Sequence, residues 1–157
     1  MQRVPMTPAG HQALVEELDN LKRIERPKVI DDIATARAHG DLSENAEYDA
    51  AKERQGFIES RIRDLESKTG MAEIIDPAEI ESERIEFGAT VTILDLDTDK
   101  ESTYMIVGDD EADPDHGKIN VYSPLARALI GKAVGDEVEV KAPGGNREYE
   151  ILTLVYK

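Results

Sequence analysis

The chain has 157 residues, enough for one medium domain or two small ones, and its formal net charge at pH 7 is -15. Proteins that bind free DNA or RNA usually carry a basic surface, so this charge disfavours open nucleic-acid binding and leaves a basic partner, or one already holding nucleic acid. The absence of cysteine excludes disulfides and thiolate metal sites. With no apolar run long enough to span a membrane and no signal peptide, a cytoplasmic protein is expected.

The first half of the chain predicts a helix that begins at Pro8. Thr7 offers a side-chain cap, and proline suits the first helical position. Apolar residues then recur every three or four positions, and the stripe slips by about one residue near Pro27, where a kink or register adjustment is expected. Gly40 is a natural stop, so the helix should end near Ala38. The apolar stripe consists of Leu14, Leu18, Leu21, Val29, Ile30 and Ile33.

A second helix is predicted to start around residues 41–43 and to fade near Gly70. Its apolar positions follow the heptad spacing of a coiled coil, with a glutamine as the weak member. This seam consists of Ala51, Gln55, Ile58, Ile62 and Leu65. The connection between the helices allows only an antiparallel return, and each arm of roughly 30 residues would be about 40–45 Å long. A rod of two helices buries little apolar surface. It is therefore better suited to reaching a distant site than to forming the core of a domain.

The turn between the two helices carries two carboxylates, Asp41 and Glu44. The simpler explanation is structural, because Asp41 followed by Glu44 resembles a capping box, with Ser43 as an alternative cap. The other explanation is a magnesium site, since Mg²⁺ takes one or two carboxylates together with waters and phosphate oxygens. An exposed pair binds Mg²⁺ weakly and would need a partner to complete the site. Local spacing does not separate these explanations.

The second half predicts a small sheet domain after a linker at residues 71–86. Strand patterns occur near residues 89–94, 102–107, 118–122, 138–141 and 148–156. Ser123 and Pro124 repeat the cap-and-proline signal, for a helix that runs to about Ile130. The acidic segment 109–115 predicts a solvated loop. The sequence therefore predicts a two-domain α+β protein, with an antiparallel coiled-coil hairpin at residues 1–75 and an antiparallel sheet with one short helix at residues 76–157.

The segment from Gly40 to Tyr48 resembles the tip signature of bacterial Gre transcript-cleavage factors of the GreA type. Residues 4–7, 87–92, 106–113, 123–132 and 143–145 resemble family segments in the same order. The resemblance implies an FKBP-like second domain and a hairpin that enters the secondary channel of a backtracked RNA polymerase. It further implies that Asp41 and Glu44 hold a second Mg²⁺ beside the polymerase's own ion, so that water cleaves the extruded RNA 3′ end. The polymerase owns that active site, so this protein is not expected to be an enzyme.

The resemblance also implies supporting roles for residues around the tip. Arg37 and Lys52 match a basic patch that faces the RNA 3′ segment, although two solvated helix charges would look the same. Asn45 and Tyr48 would position the tip or the RNA, and packing at the narrow end of the hairpin is an equal alternative for Tyr48. The candidate contact with the rim of the polymerase channel is the turn formed by Ser123, Pro124 and Leu125. Helix capping would explain that turn equally well.

Three other functions stay open. A channel binder that only inhibits the polymerase would keep the hairpin without needing both acids. A prolyl isomerase or chaperone built on the second domain would want an apolar, aromatic-lined pocket, and the chain has only two Phe and no Trp. A plain coiled-coil adaptor would tolerate Asp41→Asn apart from a lost cap. The implied partners are bacterial RNA polymerase and the nascent RNA 3′ end, with no membrane and a free monomer.

Overall fold

The computed structural model describes residues 3–40 and 45–157, and the chain divides into two compact units. The first unit is formed by residues 11–72, and the second combines residues 3–10 with residues 73–157. The prediction placed residues 1–75 together in the hairpin, whereas residues 3–10 belong to the second unit. Within the described ranges, no helix has both the length and the apolar character that crossing a membrane requires.

Two helical arms make up the hairpin. The first arm consists of α1 (Pro8–Asn20), a π-helical turn (Leu21–Glu25) and α2 (Arg26–Arg37), and the second arm is α3 (Ala46–Gly70). The Oγ1 of Thr7 accepts the N–H of Gly10 at 3.1 Å, which confirms the predicted cap. The π-helical turn ends just before Pro27, where the sequence predicted a register adjustment. Proline cannot donate a backbone hydrogen bond, so a regular α-helical pattern is interrupted here. The π-helical turn is wider than an α-helical one and accommodates the one-residue slip of the apolar stripe.

A narrow apolar seam holds the two arms together. Its buried positions are Leu14, Val29, Ala36, Ala51, Ile58, Ile62 and Leu65. The predicted heptad of α3 is thus confirmed, with Gln55 half-buried as its weak member. The prediction for Ile30 is wrong, because its side chain is 51% exposed. After the one-residue slip at the π-helical turn, Val29 faces α3 and Ile30 faces solvent.

Ion pairs between the arms flank this seam. Arg26 and Glu59 form a bidentate salt bridge with both N–O distances at 2.8 Å. Arg61 and Glu17 form a second one, with N–O distances of 2.7 and 2.9 Å. The hydrogen bond from its arginine is the main reason why the pKa of each carboxyl group lies below its ordinary value of 4.5. Such paired contacts are more directional than a single one, so they favour one register of the arms.

We expect these two pairs to make the hairpin more sensitive to acid. A carboxyl group with a lowered folded pKa stabilises the protein above its unfolded pKa, and this contribution is lost as pH falls through the folded value. The double variant Glu17→Gln, Glu59→Gln should therefore show a shallower fall of its unfolding midpoint between about pH 5 and pH 3 than the parent protein. Thermal unfolding followed by far-ultraviolet circular dichroism measures this difference. Identical pH slopes in the two proteins would contradict the argument.

The second unit contains a five-stranded sheet and one short helix. Its elements are β3 (Thr90–Asp95), β4 (Glu101–Val107), β5 (Lys118–Asn120), α4 (Pro124–Leu129), β6 (Glu137–Ala142) and β7 (Gly145–Val155). The strand order is β5-β4-β3-β7-β6. This architecture confirms the predicted α+β class, but the prediction of a wholly antiparallel sheet is wrong, because β4 and β5 are parallel. Two short 3-10 turns in the connection, Asp109–Glu111 and Pro114–His116, allow the chain to enter β5 in the direction of β4.

The core of this unit joins α4 to the strands. Alternation along β3 buries Val91 and Ile93, and α4 contributes Ala126 and Leu129. The full buried cluster is Ile85, Ala89, Val91, Ile93, Ile106, Ile119, Ala126, Leu129, Val138 and Ile151. Three half-buried tyrosines, Tyr104, Tyr149 and Tyr156, pack against this cluster, whereas Tyr122 is 46% exposed.

The carboxylate of Glu111 connects the N-terminal segment, residues 3–10, to the rest of the second unit. Strand β1 (Val4–Met6) pairs with β2 (Ala72–Ile74), and the carboxylate of Glu111 accepts the N–H of Thr7 at 3.0 Å together with the Thr7 hydroxyl. The same carboxylate accepts the N–H of Gly108 at 3.3 Å. Thr7 is only 5% exposed. The acidic segment 109–115 is therefore not simply a solvated loop, because one of its acids is committed to an internal contact.

Glu111→Gln is expected to lower the free energy of unfolding of the second unit by about 1–3 kcal/mol, because an amide leaves some of these donors without an acceptor. Urea denaturation followed by tyrosine fluorescence measures the change, since every tyrosine except Tyr48 belongs to this unit. The matched control is Asp115→Asn, an exposed acid in the same segment, which should change stability by no more than about 0.5 kcal/mol. An equal loss in both variants would contradict the role of Glu111.

Candidate functional site

The described part of the hairpin tip consists of the end of α2 and the start of α3. Gly40 has a φ of +93°, a conformation that favours glycine, and its N–H donates to the carbonyl of Arg37 at 3.0 Å. The helix stop predicted at Gly40 is thereby confirmed. The two predicted metal ligands, Asp41 and Glu44, lie outside the described residues, as does Ser43.

The N-cap of α3 is Asn45. Its Oδ1 accepts the N–H of Tyr48 at 3.0 Å, and its backbone is extended, with φ −92° and ψ 94°. The predicted start around residues 41–43 is therefore wrong. Asparagine caps a helix as well as aspartate or serine does, and the acids Glu47 and Asp49 in the first turn favour a helix start here. These signals were present in the sequence, but Asp41 and Ser43 offered caps of similar strength, so the sequence alone did not select Asn45.

Asn45 also connects the two arms. Its Nδ2 donates to the backbone carbonyl of Ala36 in α2 at 2.7 Å. The same carbonyl accepts the N–H of His39 at 3.2 Å. A second, more exposed link pairs His39 Nδ1 with Glu47 Oε2 at 3.4 Å. The contacts of Asn45 and His39 thus link the end of α2 to the start of α3.

Of the residues predicted to support the tip, the structure brings Arg37 and Tyr48 together. The Arg37 guanidinium lies 6.0 Å from the centroid of the Tyr48 ring, at the outer limit of a cation–π contact. Tyr48 is half-buried, which favours its packing role. Lys52 lies one turn further along α3, where its Nζ donates to Gln55 Oε1 at 3.1 Å. Arg37 and Lys52 are both exposed, so both charges are accessible to an anion.

The magnesium site predicted at the tip rests on the chemistry of Asp41 and Glu44, which lie outside the described residues. Across residues 3–40 and 45–157, no group of three or more His, Cys, Asp or Glu residues is placed to hold a metal. A donor set of two neighbouring carboxylates, Asp41 and Glu44, fits Mg²⁺, which commonly keeps several waters and takes its remaining ligands from a partner.

The candidate polymerase contact in the second unit divides into structural and exposed residues. Ser123 Oγ accepts the N–H of Ala126 at 3.3 Å and caps α4, as predicted, while Leu125 packs against the core. Pro124, in the first turn of α4, is exposed. The exposed Tyr122 beside it was missed, although an aromatic residue directly before a helix cap could have drawn attention.

Comparison with known proteins covers both units. Residues 4–74 match the family described as "Transcription elongation factor, N-terminal", and residues 80–156 match "Transcription elongation factor, GreA/GreB, C-term". The chain belongs to the GreA/GreB family of transcription elongation factors. It is 59% identical over 157 residues to transcription elongation factor GreA of Hyphomonas neptunium, covering 100% of both chains.

A second relative supports the same assignment. Transcription elongation factor GreA of Neisseria meningitidis is 60% identical over 157 residues, with 99% of each chain covered. Among solved structures, GreA factor homolog 1 of Thermus thermophilus is 26% identical and covers 98% of this chain and 99% of that one, with a TM-score of 0.45. The family assignment rests on the sequence matches.

Proposed function

We propose that this GreA/GreB-family protein binds bacterial RNA polymerase, inserts its hairpin tip into the secondary channel and stimulates the polymerase's own cleavage of backtracked RNA. The observation that carries the proposal is the position of the α3 cap. Because Asn45 caps the helix, capping no longer accounts for Asp41 and Glu44. Two acids in the turn of a long hairpin, where Asn45 already caps α3, are suited to a site completed by a partner.

In this proposal, Asp41 and Glu44 would hold a Mg²⁺ ion that is shared with the polymerase. When bound, that ion and the polymerase's own ion would divide two tasks, one lowering the pKa of an attacking water and the other stabilising the leaving oxygen of the RNA backbone. The exposed cations of Arg37 and Lys52 would contact the RNA 3′ segment, with Asn45 and Tyr48 supporting the tip. The protein has no cleavage site of its own in this scheme.

The dimensions and charges of the two units support these roles. Helix α3 has 25 residues, so it extends for about 37 Å and could carry the tip into a deep channel. Residues 76–157 contain 8 Lys and Arg but 19 Asp and Glu, a balance that suits docking on a basic protein surface rather than on RNA. We place that docking at the turn of Ser123, Pro124 and Leu125, where Pro124 is the exposed member.

The proposal is tested with stalled, backtracked complexes of bacterial RNA polymerase that carry labelled RNA. Adding the full-length protein with Mg²⁺ should shorten the RNA from its 3′ end, whereas the protein without polymerase should leave the same RNA intact. Binding without shortening would instead support a channel binder that only inhibits. Peptide prolyl isomerisation by the full chain, with no effect on the polymerase, would support the isomerase alternative.

A further inference from the structure

Phe57 is the most exposed of the large apolar side chains in the described part of the chain, at 69%. It lies in the middle of α3, next to Ile58, which is 6% exposed and belongs to the cluster that joins the arms. Successive residues of a helix lie about 100° apart, so Phe57 points away from the seam. The hairpin therefore does not use this ring for its own packing, and the ring is available to a partner.

The cations beside Phe57 are already paired with carboxylates. Arg54, three residues before it, forms an ion pair with Asp32 on α2. Arg61, four residues after it, binds Glu17 on α1 with N–O distances of 2.7 and 2.9 Å. Residues at these spacings are neighbours on a helix surface, so both arginines flank the ring. Since neither arginine is a free cation for a phosphate, the surface around Phe57 suits an apolar group better than RNA.

Phe57 also lies on the side of α3 opposite the residues proposed to face the RNA. At about 100° per residue, it is about 180° around the helix from Tyr48 and about 140° from Lys52. The Arg37 guanidinium lies on the Tyr48 side, 6.0 Å from the ring centroid. When Arg37 and Lys52 face the RNA, Phe57 therefore faces the protein that surrounds the hairpin.

The position of Phe57 along α3 places it within that surrounding protein. It follows Ala46, the first residue of α3, by eleven positions and precedes Gly70, the last, by thirteen. The ring is therefore about 17 Å from the start of the helix and about 20 Å from its end. A tip that reaches a buried active centre would bring this part of α3 into the channel that leads there.

A second copy of the chain is a poor fit for the same surface. Stable interfaces between proteins bury about 1,200–2,000 Å², whereas the helical neighbours of Phe57 at three and four residues are all polar. Each copy also has a net charge of -15, which opposes self-association. A single aromatic ring among polar side chains is better suited to a pocket in a larger partner. These neighbours are Glu53, Arg54, Ser60 and Arg61.

We propose that Phe57 anchors the hairpin by inserting into an apolar pocket on the wall of the polymerase secondary channel. Aromatic side chains that fill a partner's pocket often contribute most of the binding energy of an interface. The ion pairs of Arg54 and Arg61 with the other arm order the side chains around the ring before binding, which lowers the entropy cost of association. This inference rests on the proposed function, because the channel is where the pocket must lie.

The test titrates the full-length protein and its variants against backtracked complexes with labelled RNA. Phe57→Ala should raise the protein concentration for half-maximal cleavage about ten- to thirtyfold, while the rate at saturating protein and the lengths of the released RNA stay at the parent level. Phe57→Leu keeps an apolar side chain and should raise it less. The matched control is Ile24→Ala in the first arm, a 57% exposed residue whose loss should leave the titration unchanged. Biolayer interferometry on immobilised polymerase measures the same affinities without cleavage.

Parent-like affinity of Phe57→Ala would overturn the inference, and so would an equal loss of affinity in Ile24→Ala. A lower rate at saturation, or altered RNA lengths, would also overturn it, since the ring would then act on the RNA or the tip. Self-association of the parent that Phe57→Ala abolishes, measured by analytical ultracentrifugation, would assign the ring to a second copy instead. If the parent binds the polymerase without promoting cleavage, the proposed cleavage function fails, while interferometry still decides the role of Phe57.

Discussion

Asp41→Asn is expected to lower the rate of stimulated RNA cleavage about 100-fold or more at saturating protein, because in the proposed mechanism it removes a charged ligand of the shared ion. Binding to the polymerase should persist, since the docking surface is untouched. The helical melt should also be unchanged, because Asn45 provides the cap of α3. Cleavage assays on backtracked complexes, paired with circular dichroism melts of the free protein, measure both quantities. Glu44→Gln should behave in the same way.

The matched control for this variant is Asp49→Asn, an exposed acid in the first turn of α3, for which cleavage should stay at the parent level. If Asp41→Asn binds the polymerase and cleaves as well as the parent, the metal role is wrong. Asparagine would preserve a cap, so the capping explanation is tested with Asp41→Ala. If Asp41→Ala loses about 1 kcal/mol of hairpin stability and keeps parent-level cleavage, the capping explanation is correct after all. Two variants at position 41 and two measurements therefore separate the two explanations.

Ile62→Ala is expected to destabilise the hairpin by about 2–5 kcal/mol, because it leaves a cavity in the seam. Ile62 is 1% exposed and belongs to the cluster with Val29 and Ile58. The seam between two helices is narrow, so few other apolar contacts can compensate for the loss. Urea denaturation followed by far-ultraviolet circular dichroism measures the change in the free energy of unfolding.

Phe57→Ala is the matched control, since it removes a larger apolar side chain from the same helix. Phe57 is 69% exposed, so its loss should change stability by no more than about 0.5 kcal/mol. Comparable destabilisation by both variants would show that the seam is not what holds the arms together. A large effect confined to Ile62 would confirm that burial in the seam, rather than helix propensity, stabilises the hairpin.

Much of the hairpin could be predicted because its signals are local. The cap at Thr7, the stop at Gly40 and the heptad of α3 each depend on residues a few positions apart, and all three are confirmed. The slip near Pro27 was also predictable, since proline lacks the donor that a regular helix requires. The periodicity did not reveal whether Val29 or Ile30 would face solvent after the slip. For that reason, Ile30 was wrongly assigned to the apolar stripe.

The start of α3 could not be chosen from local signals. Asp41, Ser43 and Asn45 are all good helix caps, so their intrinsic preferences differ by too little to decide between them. In the structure, Asn45 combines the cap with a donor that reaches Ala36 on the other arm. The position of this cap bears on the proposed function, because a helix capped by Asn45 does not depend on Asp41 or Ser43 for its N-cap.

The sequence by itself determined the two-helix hairpin, the α+β class and the family of this protein, because periodicity, caps and motif order are properties of short segments. Only the tertiary structure decided the parallel pairing of β5 with β4 and the hydrogen bond from Asn45 to Ala36. The same holds for the hydrogen bonds between Thr7 and Glu111, which are 104 residues apart in the sequence. Each of these depends on residues that approach one another only after folding.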